Sequence, residues 1–188
     1  MVGICWRTEL LMLQGLAKSI CVSAKKVTAI GIYDWAYVLS GGATKSGNNF
    51  TTGTGTWGTG EIRTTQGYST KVYVSCVPSH NATGNQAMIA LNSDPTTDAS
   101  YTSLDYAWFF NGYGQTAIWE SNAQVATPAG GYGAGNVFKI DYDGTNVIYS
   151  RDGVALRTVA RGLGASLYLD SSFNNLFTFT DLQYGQYA

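Results

Sequence analysis

The 188-residue chain is short of charge: Asp, Glu, Lys and Arg together make up 12% of it, well under the usual share of a globular domain. Eleven basic residues against twelve acidic ones leave a formal net charge of −1. That balance offers no electrostatic footprint for a phosphate backbone and excludes DNA and RNA as partners. A single histidine, His80, excludes a multi-histidine metal site. The three cysteines, Cys5, Cys21 and Cys76, are too far apart for a four-thiolate zinc site. Being odd in number they give no disulfide framework, and they read as buried or idle thiols. No stretch approaches the roughly 18 uninterrupted apolar residues of a membrane span. Neither a metal nor a cofactor is expected.

What the chain has instead is 13 Tyr, 21 Thr, 15 Ser and 23 Gly, with 45% of residues hydrophobic and 13% aromatic. Tyr and Thr fill strands and Gly fills tight turns, so the composition is that of a β-rich domain with enough apolar material for a core.

Residues 8–21 carry Leu10, Leu13, Ala17, Ile20 and Cys21 on one helical face, with Thr8 placed to cap and Glu9 at the positive end of the dipole. They are expected to form an amphipathic helix, either packed on its own domain or serving as an attachment and oligomerisation arm. Val22-Ser23-Ala24 resembles a leader cleavage site, but Glu9, Gln14, Gly15 and Lys18 interrupt the apolar region before it, which argues against a cleaved signal. Residues 27–39 read as a further strand. Residues 40–49 read as a flexible connector by composition. The expected organisation is an arm and linker over 1–45 and a single β-domain over 46–188.

From residue 60 onward the pattern is strand, turn, strand. The expected strands are residues 61–65, 71–77, 87–91, 104–110, 116–120, 137–142, 146–151, 154–159, 166–169 and 176–182. The run at 87–91 is apolar throughout, as in a strand buried on both faces. Asp143-Gly144 and Asp152-Gly153 are hairpin turns. About ten short strands at this spacing, with no helix between them, make a two-sheet antiparallel sandwich.

The hairpin Val137-Phe-Lys-Ile-Asp-Tyr-Asp-Gly-Thr-Asn-Val-Ile-Tyr-Ser-Arg-Asp-Gly153 resembles a recurring hairpin of concanavalin A-like lectin/glucanase jelly-roll domains, including their SPRY-like branch. The apolar strand at 87–92 and the closing pair at 167–173 and 177–182 agree with that resemblance, which covers residues 50–188. It implies an all-β jelly-roll sandwich of the kind found in phage tail-fibre and head-fibre proteins. Lectin members of the family bind sugars and glucanase members hydrolyse them. The expected setting is therefore a virion or extracellular one, the expected partner cell-surface glycan or neighbouring virion proteins, and the expected assembly a homo-oligomer through the N-terminal arm.

Catalysis is not expected. Retaining glycosidases need two carboxyl groups about 5–5.5 Å apart, and the family's Glu-x-Asp-x-x-Glu string is absent. Asp141 and Asp143 lie two apart, but Asp143 with Gly144 is a turn pair, and the same segment lacks the remaining ligands of a calcium loop. Glu120 is a lone acid, and His80 sits in a loop.

Ligand binding points to residues 106–122, where Tyr106, Trp108, Phe109, Phe110, Tyr113 and Trp119 crowd together. Alternation sends Trp108 and Phe110 to one face and Phe109 to the other, with Phe109, Phe110 and one tryptophan expected in the core. Tyr113 and Tyr132, each framed by glycines, are expected at exposed loop tips. The candidate ligand-binding residues are Trp108, Asn111, Tyr113, Trp119, Glu120 and Tyr132.

Overall fold

The computed structural model describes residues 35–81 and 83–187. The helix expected over residues 8–21 lies outside the described residues, as does the expected arm of 1–45 up to residue 34; residues 35–45 are described and supply strands. Most of the strand expected from residue 27 also lies outside them.

Fourteen strands follow one another: β1 (Tyr37–Leu39), β2 (Thr44–Ser46), β3 (Asn49–Thr51), β4 (Ile62–Thr64), β5 (Val72–Pro78), β6 (Gln86–Asn92), β7 (Tyr106–Asn111), β8 (Thr116–Glu120), β9 (Ala123–Ala126), β10 (Phe138–Tyr142), β11 (Asn146–Arg151), β12 (Val154–Ala160), β13 (Tyr168–Asn174) and β14 (Thr178–Gln186). The one helical element among the described residues is a single 3₁₀ turn, Tyr101–Ser103, capped by the Ser100 side chain. No described helix is long and apolar enough to cross a membrane.

The strands form two main antiparallel sheets. One has seven strands in the order β12-β11-β10-β5-β14-β3-β2, and the other has five in the order β13-β6-β7-β8-β9. A small β1–β4 ribbon attaches to β13 through side chains: the Ile62 N–H donates to Ser171 Oγ at 2.7 Å, and the Leu169 N–H to Thr64 Oγ1 at 3.1 Å. Residues 40–49, expected as a connector, instead hold the β2–β3 hairpin at the edge of the seven-stranded sheet.

Two of the hairpins show how local sequence sets the pairing. Asp152 and Gly153, with φ of 51° and 78°, make the two-residue turn between β11 and β12. Both central residues of such a turn need positive φ, which Gly adopts freely and Asp tolerates. Ser121 and Asn122, at φ 46° and 67°, make an equivalent turn between β8 and β9 without any glycine. That is why β9 escapes a search for glycine-based hairpins.

The sheets close over a core that includes Ile89, Leu91, Trp108, Phe110 and Ile118 from the five-stranded sheet and Val74, Phe138, Ile140, Tyr149 and Phe179 from the seven-stranded one. Burying each such side chain stabilises the fold by about 1.5–3 kcal/mol relative to exposure. Trp108 is central. Its ring meets Phe138 edge-on at 5.0 Å and Tyr149 at 5.7 Å, and its Nε1–H donates to the Lys139 carbonyl at 3.2 Å. Trp108 is fully buried, so its expected place in a ligand site is corrected. A satisfied indole facing the opposite sheet is core.

Candidate functional site

A strand exposes its alternate residues to opposite faces. With Trp108, Phe110 and Ile118 committed to the core, Phe109 and Trp119 must point away from it. There they join Met88, Ala90 and Ala107 in a second apolar cluster on the outer side of the five-stranded sheet. The expectation that Phe109 is core beside Phe110 is thereby corrected, because neighbours on one strand cannot share a face. Two loops complete this cluster. Trp57 arrives from the Thr/Gly-rich stretch before β4, and Tyr101 from the 3₁₀ turn.

The outer aromatics form a cradle with defined geometry. Trp57 lies 5.2 Å from Tyr101 and 6.4 Å from Phe109, and Tyr101 meets Trp119 nearly edge-on at 5.8 Å. A pocket of about 180 Å³ opens between these four rings, Met88 and Gln86. On the other side of Phe109 a second depression, of about 410 Å³, is lined by Gln115, Thr116 and Gln124 and floored by residues of the Thr127–Gly131 loop. Phe109 lines both, so an aromatic pocket and an amide- and hydroxyl-lined depression lie side by side across its ring, and the two together are called the outer groove. The Trp119 Nε1 is buried and has no hydrogen-bond partner among the described residues. No charged side chain among the described residues lines either part.

Of the sequence-derived candidates, the groove takes in Trp119 and leaves the others elsewhere. Glu120, one residue on, points to the inner side, where Arg157 of β12 grips it with Nε and Nη2 at 2.8 Å each. It is a bidentate clamp between the sheets and not a lone acid at a ligand. Asn111 is buried at the β7–β8 turn, where its Oδ1 accepts the Tyr113 and Gln115 N–H groups at 3.1 Å and its Nδ2 donates to Gln115 Oε1 at 2.6 Å. It shapes the turn. Tyr113 is 63% exposed at the loop tip, as expected, but outside the groove.

Tyr132 is a correction. It is buried, packed edge-on against Phe110 and Phe138, with its hydroxyl 2.8 Å from the Ser79 carbonyl and 2.6 Å from that of Asn111. The glycines around it serve close backbone approach and not exposure. A Cβ on Gly131 would collide with the Gly114 carbonyl, and one on Gly114 with that of Tyr132. Trp57, Tyr101, Gln86 and Gln124 were not singled out from the sequence. For Trp57 the one available signal was a lone tryptophan in a stretch otherwise of Thr and Gly.

Further along the same outer face lies a polar cleft of about 440 Å³, lined by Arg63, Thr65, Asp94 and Tyr168 among others. The Arg63 Nε donates to Glu61 Oε1 at 2.6 Å. Below it Asp170 of β13 is fully buried. Burial pushes its carboxyl up to about 8, against the pull of the Asn92 side-chain amide at 2.8 Å and the Ser171 N–H at 2.7 Å; the Glu61 charge also raises it and Arg63 lowers it. Among the described residues no group of three or more His, Cys, Asp or Glu side chains comes together. Asp143 is a turn residue: its Oδ1 accepts the Thr145 and Asn146 N–H groups at 2.7 Å, which hold its carboxyl below the ordinary range.

No protein-family model matches the chain, and no curated protein matches its sequence. Solved structures do match its fold. The carbohydrate-binding module CBM66 from Bacillus subtilis aligns with TM-score 0.58 and 8% identity over 81% of this chain and 98% of that one. The calcium-bound exoplasmic/lumenal domain of VIP36 aligns at 0.57 and 11% identity over 82% and 84%. The Bacillus licheniformis β-glucanase aligns at 0.56 and 12% identity over 82% and 94%. These likenesses show a concanavalin A-like two-sheet sandwich, and at such identities they show the fold alone.

Proposed function

We propose that the chain is a non-enzymatic glycan-binding module that holds its ligand in the outer groove of the five-stranded sheet. The observation that carries this is the combination of Trp57, Tyr101, Phe109 and Trp119 with the amides of Gln86, Gln115 and Gln124 in one groove. A pyranose has an apolar face that stacks on aromatic rings and a hydroxyl rim that exchanges hydrogen bonds with side-chain amides. Pockets of this sort, mostly apolar with a few placed polar groups, are the usual form of small-ligand sites. The carbohydrate-binding neighbour CBM66 supports the reading by analogy of fold. Hydrolysis on the same fold is the alternative. It needs two carboxyl groups facing the scissile bond, whereas Glu120 is turned inward and clamped and Asp170 is sealed.

The finer setting belongs to the same proposal: an adhesion module on the surface of a phage-like particle, with residues 1–34 as the attachment arm. Its support is the family resemblance of residues 137–153 and the low charge. A glycan panel probed with the full chain tests the binding. Retention of at least one glycan, lost in Trp119→Ala with the far-ultraviolet spectrum and cooperative unfolding preserved, is expected. A clean panel sinks the reading. Light scattering on the full chain and on one lacking residues 1–34 tests the arm, and two monomers would remove it. The cut spares Trp35, which stacks on Phe50 at 5.3 Å.

A further inference from the structure

We infer that the ligand is an uncharged oligosaccharide of several linked units, laid across the strands and not along them; the inference rests on the glycan-binding reading and names its substrate class. The groove takes side chains from β6 (Gln86, Met88), β7 (Phe109), β8 (Ala117, Trp119) and β9 (Gln124) in turn. Three inter-strand steps of about 4.8 Å each span about 14 Å. That is longer than one pyranose ring and matches a short run of them. The two halves of the groove, one on each side of Phe109, offer different chemistry to successive units: ring stacking against Trp57, Tyr101 and Trp119, then hydrogen bonding to Gln115, Gln124 and Thr127.

Charge sets the class. A carboxylate or sulfate moved from water into this groove would lose solvation and gain no counter-ion, an expensive transfer. No basic side chain among the described residues lines the groove: Arg151 donates to the Ala129 and Gly131 carbonyls of its loop, and Arg157 is on the inner side, paired with Glu120. On the outer face Arg63 lines the wall of the polar cleft, where it is paired through Nε with Glu61 Oε1 at 2.6 Å and shares the cleft with Asp94. The aromatic groove therefore suits a neutral sugar, and an acidic one would have to compete with Glu61 for Arg63 at the cleft.

Calorimetry with the full chain separates these outcomes. The probes are neutral oligosaccharides (gluco-, xylo- and manno-series, one to six units) and uronate oligomers, each at low and high salt. For a neutral series the affinity is expected to rise about tenfold per added unit up to about three units and then level off, with no salt dependence. Trp119→Ala and Gln124→Ala are each expected to weaken the trimer about tenfold; Gln124 is an exposed side chain on β9, so its variant folds even where Trp119→Ala does not. A monosaccharide binding as tightly as the trimer overturns the inference. So does a preference for uronates that falls with salt and is lost in Arg63→Gln. Both results would leave the glycan-binding reading standing. No binding by any sugar would overturn the reading and the inference together.

Discussion

The five-stranded sheet presents aromatic residues to both of its sides, and the two sides treat them differently. On the inner side Trp108 is fully enclosed and its N–H finds the Lys139 carbonyl on the opposite sheet. On the outer side Trp119 is only partly covered, by side chains carried on loops, and its N–H finds nothing. Sheet-on-sheet packing gives the inner tryptophan a permanent partner surface. Two loops, with no second sheet behind them, cover the outer one incompletely. The same residue type on adjacent strands thus holds the fold together in one place and leaves a partly open aromatic surface in the other.

The sharpest way to break that comparison is to remove the inner ring. Trp108→Ala is expected to cost about 3–5 kcal/mol in urea unfolding, from lost burial and the cavity left behind. Trp119→Ala should cost clearly less, and equal losses would erase the distinction between the two sides.

Next in size is the polar end of the outer side. Asp170 ionises near 8 in the fold, against an ordinary value of 3.8. Between those values the native state holds a proton that the unfolded chain has released, so stability declines as pH rises through the window. Asp170→Asn should flatten that decline and raise the urea midpoint at pH 9, by roughly 2 kcal/mol or more across the window. An unchanged pH profile would mean that the carboxyl is not sealed.

The two glycine-framed tyrosines carry the contrast to the loops. Tyr132→Phe strips a buried hydroxyl from two carbonyls and should cost about 1–2 kcal/mol. Tyr113→Ala, at an exposed tip, should move the unfolding midpoint by less than about 0.5 kcal/mol. Comparable losses would mean that the Tyr113 loop is packed.

These tyrosines also show what could be read from the chain. Gly-Tyr-Gly and Gly-Gly-Tyr-Gly look alike as text, yet one loop projects and the other folds back, because Gly131 and Gly114 lie backbone to backbone across 17 positions. Long-range approach of that kind leaves no local trace. The strand pattern was more legible. Residues 116–120 and 146–151 are β8 and β11 with the expected bounds, and the apolar run at 87–91 lies inside β6, buried nearly throughout. β13 runs on to Asn174 through Asp170, Ser171 and Ser172, buried polar residues beyond the strand expected at 166–169 but within the closing pair that the resemblance drew at 167–173. For the site, alternation on β7 separates Phe109 from Phe110, but not which of them is covered. Trp119 was legible because it sits one residue from a strand end among amides. Trp57 and Tyr101 were not, since they reach the groove from loops far from it in sequence.

Cys76 sits on β5 with 1% of its surface exposed, and burial pushes its thiol well above the ordinary range. A thiol reagent can reach it only when the two sheets part. In a chain carrying Cys5→Ser and Cys21→Ser it is the sole reactive sulfur, so the rate of its labelling at saturating reagent is the opening rate of the sandwich itself. The molecule thus carries its own stopwatch. Slower labelling on adding sugar would report ligand engagement with no dye, tag or catalytic turnover to follow.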